Sequence, residues 1–338
     1  MDQKVNFKIL FTCGVLNVLS TSFVSSNALV KLFPQNSYLV PLYLMPILLL
    51  LCFFLPKGKT SLLKIVMKKP VWRYIMISYH ITYTCILLAL GIQLITTYFY
   101  LETSYVLLII LIAFVCCHLA RLGTTSIFNI FFYTMIALVG MNLLILFNTT
   151  PREFHLILPL NLGIPKPYLA LIPIAMYLDG LYYFFLIDEK KPAMNQKTMI
   201  FTTLIVTVIS ALMILENYLF VDYNILQHIR FPVQFRYRLY HGNKYIEHFD
   251  LILLFNAIVM LIAKVVMHIN FNRILLKAKK KEIFFTIYAI LISAITFLIV
   301  RYGFLYLNFL IIACLTLSVL ILFIYVFVVY YGREKMKR

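Results

Sequence analysis

The sequence predicts an all-α, polytopic membrane protein, and three observations carry that prediction. Of its 338 residues 63% are hydrophobic and 12% charged, with a mean hydropathy of +0.94, which excludes a water-soluble globule because so little polar surface cannot cover so much apolar volume. Apolar runs of about 18 residues or more, enough to cross roughly 30 Å of hydrocarbon at 1.5 Å per residue, recur along the whole chain. Each run is continuous and lacks the two-residue alternation of a membrane barrel strand, so helices are the expected spanning form.

Ten spans are predicted, at about 9–30, 37–55, 74–98, 104–120, 124–147, 168–187, 198–220, 249–271, 283–300 and 304–331. Lys4 and Lys8 precede the first as they would in a secretory signal, but the run is too long and has no small-residue cleavage pattern before Lys31, so a retained helix is expected. The fourth span is the shortest. All six cysteines, Cys13, Cys52, Cys85, Cys116, Cys117 and Cys314, fall within spans without CxxC spacing, and read as small packing residues rather than metal ligands or disulfides. No soluble domain fits between the spans, leaving one transmembrane domain over residues 1–338.

Charge orients it. With the amino terminus in the cytoplasm, 21 of the 30 basic residues fall in cytoplasmic segments, among them Lys68, Lys69 and Arg73, the run Lys279 to Lys281, and Lys335 to Arg338. Lys31, Arg152, Lys166, Arg230, Arg236, Arg238, Lys244 and Arg301 face the other side, and Lys264 alone lies inside a span. This positive-inside asymmetry predicts both termini in the cytoplasm and an even helix count. It also accounts for the net charge of +18 without nucleic acid. The alternation of arginine and aromatic residues before the eighth span reads as an interfacial helix or a docking surface on the outer side.

Ten helices divide into two inverted repeats of five, here residues 1–150 and 151–338, an arrangement in which the first helix of each repeat is often broken at the substrate. Four segments in order carry a more specific signal: "HLARLGTTSIFNI" (118–130), "TTPREFHLILPLNLGIPKP" (149–167), "MYLDGLYYFF" (176–185) and "IRFPVQFRYRLYHGNKYIEHFDLILLFNAIVMLIAKVVMHI" (229–269). Their succession resembles the endospore germination permeases, the B-subunit family of nutrient germinant receptors within the amino-acid/polyamine/organocation transporter superfamily. Pro232, Glu247, Asp250 and Lys264 match the family pattern in the last segment, and Arg121 and Pro159 match its fourth-helix arginine and the Leu-Pro before helix six. The first helix departs from the family, offering only Gly14 and then "LSTSFVSSN", and Tyr182 stands near the place of a family acidic residue.

The resemblance implies a subunit that binds a small nutrient, such as an amino acid, and signals germination with an A-type subunit and a C-type lipoprotein in the inner membrane of a spore. Candidate ligand-binding residues are Ser20, Thr21 and Ser22, about half-way through the first span, Tyr83 in the third, and Asp179 and Gly180 in the sixth. Hydroxyls in a spanning helix also bond carbonyls of the preceding turn or aid close packing. Pro173 and Gly180 loosen the sixth span, and a carboxylate at Asp179 needs a wet cavity or an ion pair with Arg121 or Lys264. Lys264, Arg121, Glu247 and Asp250 are candidates for charge coupling. A stand-alone amino-acid or cation transporter is the competing reading, and a membrane enzyme acting on lipid-linked substrates a third, with His80, Arg121, His155 and Arg301 as its polar groups. The sequence contains no GxSxG, HExxH or phosphate-binding glycine loop, so neither catalysis, nor a metal, nor a cofactor is expected.

Lys264 poses the sharpest question, because an ammonium inside an apolar helix either reaches back to the headgroups or has a task. Snorkelling toward the cytoplasm works against the lean of helical side chains toward the amino terminus, which in the eighth span is the outer side. Asn256 and His268 lie within about 80° and 40° of Lys264 on a helical wheel. The expectation is a lysine turned into the bundle.

Overall fold

A computed structural model describes residues 30, 37–54, 70–98, 104–122, 129, 132–134, 136–137, 139–141, 192–226, 228–229, 235, 249–278 and 281–303. The helices are α1 (Val40–Phe54), α2 (Pro70–Tyr98), α3 (Tyr105–Arg121), α4 (Pro192–Phe220), α5 (Tyr223–Leu226), α6 (Phe249–Leu275) and α7 (Lys281–Gly303), and no strand occurs among the described residues. Four helical stretches are long and apolar enough to cross a membrane: α2 throughout, Ile200–Phe220 of α4, Ala257–Leu275 of α6 and Glu282–Tyr302 of α7. The protein is thus all-α and has the helices of a membrane protein. Predicted spans two, three, four, seven, eight and nine correspond to α1, α2, α3, α4, α6 and α7. Nearly all of the first, most of the fifth, and the sixth and tenth lie outside the described residues.

Three helices run past the predicted spans. α2 starts at Pro70 and α4 at Pro192, while α6 continues to Leu275. Hydropathy marks only the most apolar part of a helix, whereas its backbone goes on satisfying its own hydrogen bonds, so Asn272 and Arg273, just past the predicted span, do not end α6. The stop comes just beyond. Lys277 takes φ 53°, its N–H bonds Ile274 C=O, and Ala278 N–H reaches Arg273 C=O, the paired bonds of a Schellman cap that satisfy the last carbonyls.

Packing follows the burial pattern. α2 is buried almost all round from Tyr83 to Ile95, and α6 likewise from Met260 to Phe271; helices apolar on every side belong at the centre of a bundle. Among the described helices they form the most extensive pair. α3 instead buries Ile109, Ala113, Cys116, Cys117 and Ala120 while exposing Leu107, Ile110, Leu111 and Phe114. This stripe of small residues at helical spacing brings its backbone close to α7, which turns Phe285, Tyr288, Ala289, Ile292 and Thr296 inward. The four described cysteines of the spans, Cys52, Cys85, Cys116 and Cys117, are buried, as small packing residues should be.

The pairs are antiparallel. Tyr105 stacks on Phe297 at one end of α3 and α7, with ring centroids 6.2 Å apart, and Arg121 meets Glu282 at the other. Between α1 and α4, Ser37 Oγ and Tyr218 OH share a hydrogen bond of 2.6 Å, and Cys52 Sγ lies 3.5 Å from Thr203 Oγ1. α2 and α6 meet at His80 and His268 and again where a Cβ on Gly91 would lie 3.9 Å from Leu261. A thiol bond from Cys85 to the carbonyl of Ile292, at 3.8 Å, ties α2 to α7.

Candidate functional site

Among the described residues, the α2–α6 interface buries a lysine and two histidines together. Lys264 and His268 stand four residues apart on α6 and therefore share a face; Tyr79, His80 and Tyr83 occupy the facing turn of α2. Lys264, His80 and His268 are each 0% exposed. Lys264 lies 11 residues before the end of α6 and His80 10 residues after the start of α2, about 15 Å along either axis. The residues meet away from the ends of both helices.

Aromatic rings enclose this group. The Lys264 ammonium sits over the Tyr83 ring, 4.9 Å from its centroid, and the same ring stacks on His268 with centroids 4.7 Å apart and 27° between planes. A desolvated cation over an aromatic face gains about 2 kcal/mol, which offsets much of the cost of carrying the charge into hydrocarbon. Phe271 stacks on His80 at 5.7 Å and 15°, and Tyr79 lies 5.2 Å from His80 and 6.2 Å from His268. The Lys264 side chain is therefore turned into the bundle and does not reach the headgroups.

The imidazoles meet directly. His80 Nδ1 and His268 Nδ1 are 2.8 Å apart, a distance that requires one hydrogen between them, donated by one ring and accepted by the other. The Thr84 hydroxyl donates to the His80 carbonyl at 2.7 Å, a local bond that fixes its own rotamer within the same turn. One turn beyond His268, the Asn272 amide donates to the hydroxyl of Tyr288 on α7, so the polar seam runs across three helices.

A second polar patch lies between α1 and α4, where Glu216 and Asn217 are buried beside Tyr218, itself edge-on to Tyr38 at 5.7 Å. No group of three or more histidine, cysteine or acidic side chains at metal-binding spacing occurs among the described residues. What the α2–α6 site offers chemically is a fixed cation, two imidazoles sharing one hydrogen, and aromatic walls.

Of the residues singled out in the sequence, the structure brings Tyr83 and Lys264 into contact. Asp250 belongs to the first turn of α6, 14 residues before Lys264, hence about 21 Å away along the axis and outside this cluster. Arg121 ends α3, where its Nη2 donates to Glu282 Oε1 at 2.8 Å. Ser20, Thr21, Ser22, Asp179, Gly180 and Glu247 lie outside the described residues. Sequence reasoning noted His80 and His268 separately but missed their pairing. The signal was present: once spans three and eight are taken as neighbours, the two histidines fall at similar depths.

The Arg121–Glu282 pair is open to solvent, with side chains 38% and 82% exposed, and exposed pairs are worth about 0 to 1 kcal/mol. Arg121→Gln is accordingly expected to leave the thermal unfolding midpoint of the detergent-purified protein nearly unchanged. A loss comparable to that of a core substitution would mean that this end of α3 depends on the ion pair. Neither a family model nor a curated protein matches the chain.

Proposed function

We propose that the chain is a permease-like subunit of a nutrient germinant receptor, built as two inverted repeats of five helices, with both termini in the cytoplasm. One observation carries the fold part of this reading. The three most extensive helix pairings join the second predicted span to the seventh, the third to the eighth and the fourth to the ninth, and each pair is antiparallel. Two five-helix repeats related by an axis in the membrane plane generate this pattern, because an odd number of crossings starts the second repeat from the opposite side.

The buried Lys264 group supports a sensing or transport role, since ionisable residues inside a membrane are costly and mark substrate and ion pathways. In this reading a small nutrient, such as an amino acid, binds among the first, third, sixth and eighth spans, with Ser20, Thr21, Ser22, Tyr83, Asp179 and Gly180 as its contacts. Lys264, Arg121, Glu247 and Asp250 carry charge coupling. An A-type subunit and a C-type lipoprotein receive the signal, and no chemical reaction is catalysed.

Deleting the A-type subunit tests this. The nutrient response, read as loss of spore refractility on addition of an amino-acid panel, is expected to disappear and the abundance of this chain to fall, because surfaces built to meet a partner expose polar groups in lipid. Uptake of radiolabelled amino acids by the purified chain alone in liposomes would replace the receptor with a stand-alone transporter.

A further inference from the structure

We infer that His80 and His268 form a one-proton site between α2 and α6, and that a proton taken up and released there is the ion to which the proposed nutrient response is coupled; the coupling, though not the site, rests on that proposed function.

The geometry fixes the count. At 2.8 Å between Nδ1 atoms, no hydrogen between the rings would oppose two lone pairs and two would oppose two N–H groups, so one is required. In the neutral pair the donor ring has a bare Nε2 and the acceptor ring carries its hydrogen on Nε2. An incoming proton adds to the bare Nε2, the shared hydrogen crosses to the other Nδ1, and the hydrogen on the far Nε2 departs. One proton enters, one leaves, and the two tautomers have exchanged. A second extra proton would place N–H on both Nδ1 atoms and break the bond, so the pair is a binary device.

Its surroundings make occupancy matter for structure. His80 and His268 belong to different helices, so the shared hydrogen is itself a link across the central interface of the bundle. From α2 the titratable neighbours are Tyr79 and Tyr83, and from α6 Lys264, whose ammonium contacts the Tyr83 face that stacks on His268. α7 brings Tyr288, bonded to Asn272, and α3 brings Cys116 and Cys117, into the same core. None of these is a carboxylate. A proton added to the pair is therefore a second positive charge beside Lys264 at full burial, and separating α2 from α6 to admit water relieves it.

Solid-state NMR of the 338-residue chain with 15N-labelled histidine, in lipid bilayers from about pH 8 down to about pH 4, below the ordinary imidazole range because a buried site beside a cation takes up its proton at lower pH, tests the site without any nutrient. Two of the seven histidines are expected to show a shared Nδ1–H–Nδ1 correlation and to gain one proton as a unit; His80→Gln is expected to remove that correlation and shift His268. Two independently titrating rings, or no protonation change in the range, overturn the inference even if every variant misfolds, because the unaltered protein supplies the reading. The coupling is tested by the pH profile of the nutrient response, which His268→Gln is expected to flatten. An unchanged profile at normal abundance overturns the coupling, whereas absence of any nutrient response in the unaltered protein, with the shared proton present, overturns the receptor reading alone.

Discussion

In the receptor proposed above, Lys264→Met is expected to abolish the nutrient response while the protein accumulates at normal levels. Methionine matches lysine in length and fills the same space beside Tyr83, so the fully buried position loses a charge rather than a volume. Two energies of similar size leave together: the cost of a lysine near the centre of a membrane, about 3 kcal/mol on insertion scales, and the cation–π attraction to Tyr83, about 2 kcal/mol. Folding stability should therefore change little, and the functional charge should vanish. Lys277→Met, in the turn just past α6, is the companion variant and should respond normally. The measurement is a nutrient dose-response with abundance checked by immunoblot. An unaltered dose-response for Lys264→Met at normal abundance would remove Lys264 from the mechanism and leave it a packing residue.

How far the sequence led is clearest at particular residues. The spans that became α1, α2, α3, α4, α6 and α7 were legible because a bilayer imposes both a length and an obligation to satisfy every backbone group internally. The inward turn of Lys264 was legible from helix geometry, since its lean and its neighbour His268 are properties of one helix. Cys116 and Cys117 were legible as packing residues because they fall within a span without CxxC spacing, which needs only local sequence. The partner of Arg121 was not, because Glu282 lies 161 residues further along the chain and nothing within α3 names α7. His80 and His268, 188 residues apart, became a pair only through tertiary contact between two helices whose apolar surroundings hide any periodic signal. The ends of α4 and α6 were missed because hydropathy reports the solvent around a helix and not its hydrogen bonds.

The histidine pair also predicts a non-additive pattern of stability. In His80→Leu, the Nδ1 of His268 loses its 2.8 Å partner while its ring stays buried under Tyr83; His268→Leu does the same to His80 under Phe271. Leaving a buried donor or acceptor unsatisfied costs about 1 to 3 kcal/mol, whereas replacing both partners by apolar groups of similar shape is nearly neutral. Each single variant is thus expected to lower the thermal midpoint clearly, and the double variant to be no worse than the poorer single, giving a coupling of about 1 to 3 kcal/mol. Thermal unfolding of the four detergent-purified proteins supplies the cycle. Lost stacking on Tyr83 and on Phe271 adds in the double, whereas the hydrogen bond and the edge-on contact of the two rings, 5.0 Å apart, are shared by the pair and supply the coupling. If the double variant showed the plain sum of the two losses, the imidazoles would be neighbours without a shared hydrogen, and the one-proton site would lose its structural basis.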